Sequence, residues 1–585
     1  MRRSGALVVM ALLVAASWAP AVAAGEGTPL FHFAILSDRT GGHVEGVYPR
    51  VIEEIARMNP DFVVTVGDQI EGYIEDMELA SAQWDTILAM IAGLEAPVYL
   101  TPGNHDIWSD ASRDLYIERT GQEPYYSFDR DGVHFVVLDN SMIESWSDLR
   151  DAQREWLVSD LEANREAKRT FVFAHKPLWA STLAMGQPDA LHEILVRHGV
   201  DAVFCGHLHH YFSGEYDGIR YVTVGSSGGG MYRNETEPIE RGEFFQFAWV
   251  TVTENDHEVA IVHLGNIYGE DVSTIDNERE IERIENEHVS SFPVRIGEGD
   301  EEWFDSTVRI VNASDRPIAG SLVWDVPPGW VVEPETLPLE IASGEEGRLP
   351  FRASNPGPLY PAPRFSFDYP LSNGRDLTTD IGMSIRRLAV ASRLPRAPTI
   401  DGELDEACWQ RLAPVVELYP PYEDARIADE TQFLFGRDGE SLYLAAVCHD
   451  ARVDEIVAAA AERDGAVYRD DCVGYFFCPD AGEGVVYQVY VNAAGVIFDQ
   501  RIAFDDDGRF TADTAWDGAI EVATRRTGGA WTFEARLPFS EVGADPDAPC
   551  WSVNFRRKQA RGGRAADWQV PIDYDPGTFG ELRME

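Results

Sequence analysis

Five short apolar runs set the rhythm of the first half of the chain, at residues 33–36, 62–66, 98–100, 171–174 and 202–205. Each has the length and the β-branched or aromatic content of a buried strand. Between them apolar residues recur at helical spacing: Val47, Val51, Ile52, Ile55 and Met58; Trp84, Ile87, Leu88 and Ile91; Trp156, Leu157 and Leu161; Leu191, Ile194 and Leu195. Strands alternating with amphipathic helices predict a layered α/β domain, with Trp84 and Trp156 in its core. Residues 244–252 and 257–264 read as a hairpin that closes it.

The pattern then changes. Residues 271–290 are dense in charge, with Ile275, Ile281 and Ile284 spaced for a short solvated helix, and read as a linker. From 291 to 392, short alternating runs at 306–311, 320–324 and 347–351 are separated by turn clusters such as Pro327-Pro328-Gly329. That spacing predicts an Ig-like β-sandwich. Residues 393–585 form a further strand-rich block. A chain of 585 residues exceeds what one core supports. The expected fold is therefore multidomain: an α/β layered sandwich over 25–270, then two β-sandwich domains.

Chemistry appears where the five runs stop. They end in Asp38, Gly67-Asp68, Gly103-Asn104-His105-Asp106, His175 and Gly206-His207-Leu208-His209. In open α/β sheets ligands collect beyond the carboxyl ends of strands, so these residues can converge on one crevice. Oxygen and imidazole ligands suit Zn, Mn or Fe. The glycine-rich stretch 225–231 lacks the helix and Lys of a phosphate loop and reads as a tight turn.

In order, the series resembles the calcineurin-like metallophosphoesterases, whose pattern runs Asp-x-His, Gly-Asp, Gly-Asn-His-Asp/Glu, His, Gly-His-x-His; the likeness covers about residues 28 to 265. The resemblance implies two divalent or trivalent metal ions. Asp68 would bridge them, Asp38 and His209 would complete one, and Asn104, His175 and His207 the other. His105 would stand beside the phosphate with Asp106 orienting it. Beyond the resemblance, Arg39, next to Asp38, is a candidate either for a contact to a phosphate oxygen or for a surface salt bridge. The implied reaction is hydrolysis of a phosphate mono- or diester by a metal-bridging hydroxide.

One position departs: Thr40 stands where the family has its first His. Replacements within reach in sequence are His43, Glu71 and Tyr73. Glu71, at the position where the purple acid phosphatase branch carries a ligand Tyr, is favoured as a ligand over its reading as a solvated loop carboxylate. The departure keeps an alternative open, a weakly active or non-catalytic metal-binding domain serving a glycan-binding extracellular protein.

Residues 400–409, opening Ile400-Asp401-Gly402, together with Trp531 to Glu534 and Asn554 to Arg556, resemble family 9 carbohydrate-binding modules. That likeness implies a glycan partner. Sugar binding needs exposed aromatic faces, for which Trp516, Trp551 and Trp568 are the candidates, while Trp409 and Trp531 read as core. Asp470 and Asp471 are candidates for a calcium site.

Lys plus Arg total 48 and Asp plus Glu 99, a formal charge of −51. A field of that sign repels polyanions, so no nucleic-acid groove is expected. Arg2-Arg3, an apolar stretch over 6–16 and Ala21-Val22-Ala23-Ala24 read as a signal peptide over 1–24, implying a secreted or periplasmic protein. No later apolar run approaches membrane-spanning length. Export would permit disulfides among Cys408, Cys448, Cys472, Cys478 and Cys550, whose odd number leaves at least one unpaired.

Overall fold

The computed structural model describes residues 28–585 apart from 232–236, 298–302, 356, 421–426, 428, 481–483, 505–509 and 571–573; the expected signal peptide lies outside the described residues. The chain divides into two compact units, one running to Ile284 and including Pro370–Leu377, the other comprising Glu285–Tyr369 and Thr378–Glu585. No helix among the described residues is long and apolar enough to cross a membrane.

The first unit is built on two six-stranded sheets. In one, β1 (Pro29–Leu36), β2 (Phe62–Thr65) and β3 (Val98–Tyr99) run parallel, with Phe33 opposite Phe62 and Val63 opposite Val98. In the other, β4 (Tyr126–Arg130) and β5 (Val133–Val137) form a hairpin, and β5 continues in parallel to β6 (Arg169–Phe173) and β7 (Ala202–Cys205). The hairpin β8 (Phe212–Tyr216) and β9 (Ile219–Thr223) closes that sheet, β9 lying parallel to β7. Antiparallel β10 (Gln246–Thr253), β11 (His257–His263) and β12 (Asn266–Gly269) extend the first sheet beyond β1.

Three apolar layers hold these elements. Phe33, Ile35, Phe62 and Val64 from one sheet meet Phe135, Phe171, Phe173 and Phe204 from the other, with the rings of Phe33 and Phe135 edge-on at 5.6 Å. The outer face of the first sheet is covered by α1 (Val47–Met58), α2 (Met77–Ile91) and α3 (Asp110–Thr120) through Val51, Ile55, Trp84, Ile87 and Tyr116. The outer face of the second takes α4 (Asp151–Ala163) and α5 (Ala190–Arg197) through Leu157, Leu161, Leu191 and Leu195. Both faces of each sheet are thus buried, which is why the parallel strands read as unbroken apolar runs. Trp84 is fully buried; Trp156 is half-buried against Tyr125.

The stretch read as a solvated linker helix forms α6 (Ile275–Arg283), opened by a capping box between Thr274 and Asn277. Ile281 and Ile284 are buried, so this helix is packed rather than solvated.

In the second unit, two four-stranded sheets make a sandwich, with Trp324 of Ile318–Asp325 facing Phe351 of Glu346–Ser354 at 4.7 Å. Ile385–Arg393 belongs to the larger C-terminal sheet system, pairing with Thr431–Arg437 and Gly580–Met584. There the buried Glu534 carboxylate accepts from the amides of Asp401 and Gly402 and from Trp409 Nε1 at 2.8 Å. One carboxylate therefore ties the 400–409 motif to the strand Ala530–Pro538. Trp409 and Trp531 lie in the core.

His134, buried on β5, places Nδ1 2.8 Å from Asp129 on β4 and Nε2 2.9 Å from Asp160 on α4. Burial pulls its pKa down, but the two carboxylates outweigh burial and raise it above 6.5. A raised folded pKa adds stability that is complete below the unfolded value and lost as pH climbs through the folded one. The urea midpoint of the parent is expected to exceed that of His134→Gln at about pH 6, with the gap closing as pH rises. A gap that stays constant with pH contradicts the ion-paired reading.

Candidate metal centre

The carboxyl ends of β1, β2, β3, β6 and β7 deliver Asp38, Asp68, Asn104, His175 and His207 to one place. Three of the expected ligands, Asp68, His207 and His209, have left-handed backbone, with φ of 56°, 76° and 60°. Left-handed backbone costs a non-glycine residue about 1–2 kcal/mol and concentrates where function holds the chain in place. Gly67, Gly103 and Gly206 let these turns close. A Cβ on Gly103 would meet Asp68 Oδ1 at 2.1 Å, and one on Gly206 would meet Asp38 Oδ2 at 2.4 Å.

His175 is the hub. Its Nδ1 lies 2.8 Å from the Val66 carbonyl, so that nitrogen donates and Nε2 turns inward. Around Nε2 stand Asn104 Oδ1 at 2.9 Å, His207 Nδ1 at 3.1 Å and Asp68 Oδ2 at 3.2 Å. Four acceptor atoms converging in a buried corner repel one another unless a cation, or a second proton on His175, lies between them. The charges agree. Burial lowers the His175 pKa, but Asp68 and Asp38 overcome it and push it up to about 9. Burial and the neighbouring His175 hold His207 down at about 4, as a neutral imidazole. Against its burial, His175 and the amide and charge of His105 hold Asp68 at about 2. This donor set fits a divalent transition metal, with the Val66 carbonyl fixing the ring as second partners of metal-ligating His do.

The second corner is sparser. Asp38 is fully buried, which raises its pKa; its Oδ1 accepts from the His207 amide at 2.9 Å and lies 3.6 Å from His209 Nε2. His209 Nδ1 donates to the Gly230 carbonyl at 2.5 Å, again leaving Nε2 inward. Gly229 packs so closely that a Cβ would meet the Thr40 carbonyl at 2.2 Å and the His209 ring at 2.7 Å. The glycine-rich turn thus positions His209, a role its sequence did not reveal. Thr40 is buried. Glu71 stands beside it: partial burial would raise its pKa, but the Thr40 hydroxyl, His43 and Arg39 hold the carboxyl below its ordinary value. Its Oε1 lies 2.7 Å from His43 Nδ1 and 3.9 Å from Arg39 Nη1. Arg39 is thereby turned toward Glu71.

Asp106 differs from expectation. Its Oδ1 accepts from the amides of Gln69 and Ile70 at 2.9 and 3.2 Å, and its Oδ2 from Gly103 at 2.9 Å. Saturated by three amides, it ties the loop after β2 to the loop after β3. The group that orients His105 is the Glu71 carbonyl, 2.7 Å from His105 Nδ1. Two further residues position the site, of which Asn140 escaped the sequence reading and Tyr73 entered it only as a possible replacement ligand. Asn140 Oδ1 accepts from the amides of His175 and Lys176, both at 3.0 Å. It follows β5 just as the ligands follow their strands, and that pattern was its available signal. Tyr73 has its hydroxyl 3.1 Å from Asn104 Nδ2, which keeps Asn104 Oδ1 facing His175.

The C-terminal candidates fare differently. Trp551 is 1% exposed, edge-on to Phe477 and Phe539, and Trp568 is 0% exposed, stacked on Phe555 at 4.5 Å. Neither presents a face to a sugar, because both fill the sandwich core. Trp516 is half-buried against Tyr487. Asp470 accepts from the amides of Ala459 and Ala460 and from Asn492 Nδ2, and Asp471 from the Val457 amide. These two carboxylates pin a loop to a strand.

With this geometry in hand, residues 32–211 match the calcineurin-like phosphoesterase family and residues 400–563 the carbohydrate family 9 binding domain-like family. The chain thus carries a calcineurin-like phosphoesterase domain and a family 9 carbohydrate-binding-like domain. It is 26% identical over 199 residues to mouse serine/threonine-protein phosphatase CPPED1, covering 31% of this chain and 64% of that protein. It is 29% identical over 211 residues to Arabidopsis thaliana purple acid phosphatase 21, covering 31% and 46%. A solved family 9 carbohydrate-binding module from Caldicellulosiruptor kristjanssonii, in complex with cellotriose, is 18% identical at a TM-score of 0.25, covering 34% of this chain and 93% of that one. The chain spans less than two thirds of the length of these two curated relatives.

The two corners make different predictions. The group Asp68, His175 and His207 brings its ligand atoms within 4.8 Å of one another. After dialysis against a weak chelator, elemental analysis is expected to find about one tightly held ion per chain. His175→Ala should lose it and Glu71→Gln should keep it. Loss from both variants alike would mean that the corners are not separable.

Proposed function

We propose that this chain is an exported metal-dependent phosphoesterase, hydrolysing a phosphate mono- or diester, with a C-terminal domain that attaches it to a glycan. The observation that carries the reading is the convergence of Asp68, Asn104, His175 and His207 on one buried point with their acceptor atoms inward. Mn, Zn or Fe held there and by Asp38 and His209 would supply Lewis acidity toward a phosphoryl oxygen and toward water.

The chain's own residues do the rest. Asp38 and Asp68, both buried, provide negative charge that retains cations. His105 is half-buried beside Asp68, its amide 2.9 Å from Asp68 Oδ1. Because Nδ1 is committed to the Glu71 carbonyl, Nε2 is the atom free to carry a proton to the departing oxygen. The glycan role rests on the family 9 likeness of residues 400–563, with Trp516 as the remaining aromatic candidate.

The test is hydrolysis of an aryl phosphate and its diester by protein reconstituted with each metal. His105→Gln is expected to lower kcat by about 10²–10⁴ while bound metal stays at the parental level. Asp68→Asn should lose both metal and turnover. Absence of turnover with every metal, or parental behaviour of Asp68→Asn, overturns the enzyme reading and leaves a metal-binding domain.

A further inference from the structure

The exposed ring of Tyr73 is the feature that the catalytic reading does not absorb; only its hydroxyl has a role there, on Asn104. Its ring is 58% exposed, yet it sits on one of the most constrained turns of the molecule. Gly72 and Tyr73 both have left-handed backbone, φ 55° and 52°, and a Cβ on Gly72 would meet the His105 carbonyl at 1.9 Å. Glu71 accepts from His105 Nδ1, and the Tyr73 hydroxyl meets Asn104 Nδ2. The segment 71–73 is therefore pressed onto the loop that carries Asn104 and His105. As a result the Tyr73 ring stands edge-on to His105, centroids 4.9 Å apart, with Trp108 5.9 Å behind it. A bulky residue in left-handed backbone is costly, and although contacts to Asn104, His105 and Trp108 hold it in place, Tyr73 stays 58% exposed at the rim. Arg39 and His43, the basic side chains on this rim, are both engaged by Glu71.

We propose that Tyr73, backed by Trp108, is the contact face for the leaving group, and that the site favours phosphoesters whose departing alcohol is a flat ring, aryl or heteroaryl, over small aliphatic ones. The inference rests on the phosphoesterase reading of the same site. With the phosphoryl group at the metal corner and His105 beside the departing oxygen, the carbon side of the ester is directed past His105 onto the tyrosine ring. A ring stacked or edge-packed there gains affinity that a methyl or ethyl group does not.

The test measures binding rather than turnover. Equilibrium affinities of phenylphosphonate and methylphosphonate are compared on the metal-loaded parent, Tyr73→Phe and Tyr73→Leu, and the ratio is the quantity read. Both variants lose the bond to Asn104, so any effect on the metal corner cancels in the ratio. The parent is expected to favour the phenyl compound by about tenfold, the range of one aromatic contact. Tyr73→Phe should keep that ratio and Tyr73→Leu should bring it close to unity. An unchanged ratio in Tyr73→Leu, or no phenyl preference in a parent that binds both compounds, overturns the leaving-group face alone. Binding of neither compound overturns the phosphoesterase reading with it.

Discussion

The first unit depends on keeping two buried carboxylates and a set of inward-facing lone pairs together at the ends of its strands. Asp38 and Asp68 are both buried, and their charges oppose each other across a gap that His175 only partly neutralises. Burying a charge is tolerable only when it is paired, hydrogen-bonded or held to a metal. The surrounding chain is organised to meet that condition. Ser37 donates to Asp38, the amides of His207 and His105 donate to Asp38 and Asp68, and the Val66 and Gly230 carbonyls turn two imidazoles inward.

Those supports come from loops, and the loops are held by the sheets. Each ligand follows the end of a strand, fully buried in β2 and β7 and half-buried in β3, so the backbone leaving the strand starts from a fixed position. Asp106 and Asn140 then tie one loop to the next through backbone amides. Both are polar, both are buried, and neither needs to touch a substrate to matter. The left-handed turns at Asp68, His207 and His209 are part of the same construction, since each swings a side chain back across the strand end.

The second unit shows a binding-module motif that also organises packing. Ile400 to Trp409 reads like the opening of a binding module, yet what organises it is Glu534, which accepts from two amides and an indole at once. Trp551 and Trp568 were plausible sugar platforms in sequence because Trp is often partly exposed. In the fold they lie on strands whose inward face they fill.

Local pattern alone determined the layered α/β fold of the first unit, because strands buried on both faces must be continuous in apolar residues and their covering helices must be amphipathic. It also singled out the main candidate ligands, because Asp38, Asp68, Asn104, His175 and His207 each sit at a strand's end and carry their chemistry in their own side chains. What the tertiary structure decided were the relations between residues distant in the chain. Only there does Asp106 turn out to serve loop amides instead of His105, the Glu71 carbonyl to orient that histidine, the turn at 228–230 to fix His209, and Tyr73 to stand at the rim. A residue's own chemistry is written in its identity, but whom it faces is set by long-range packing, and a hydrogen bond across 30 or 170 residues leaves no periodicity to read.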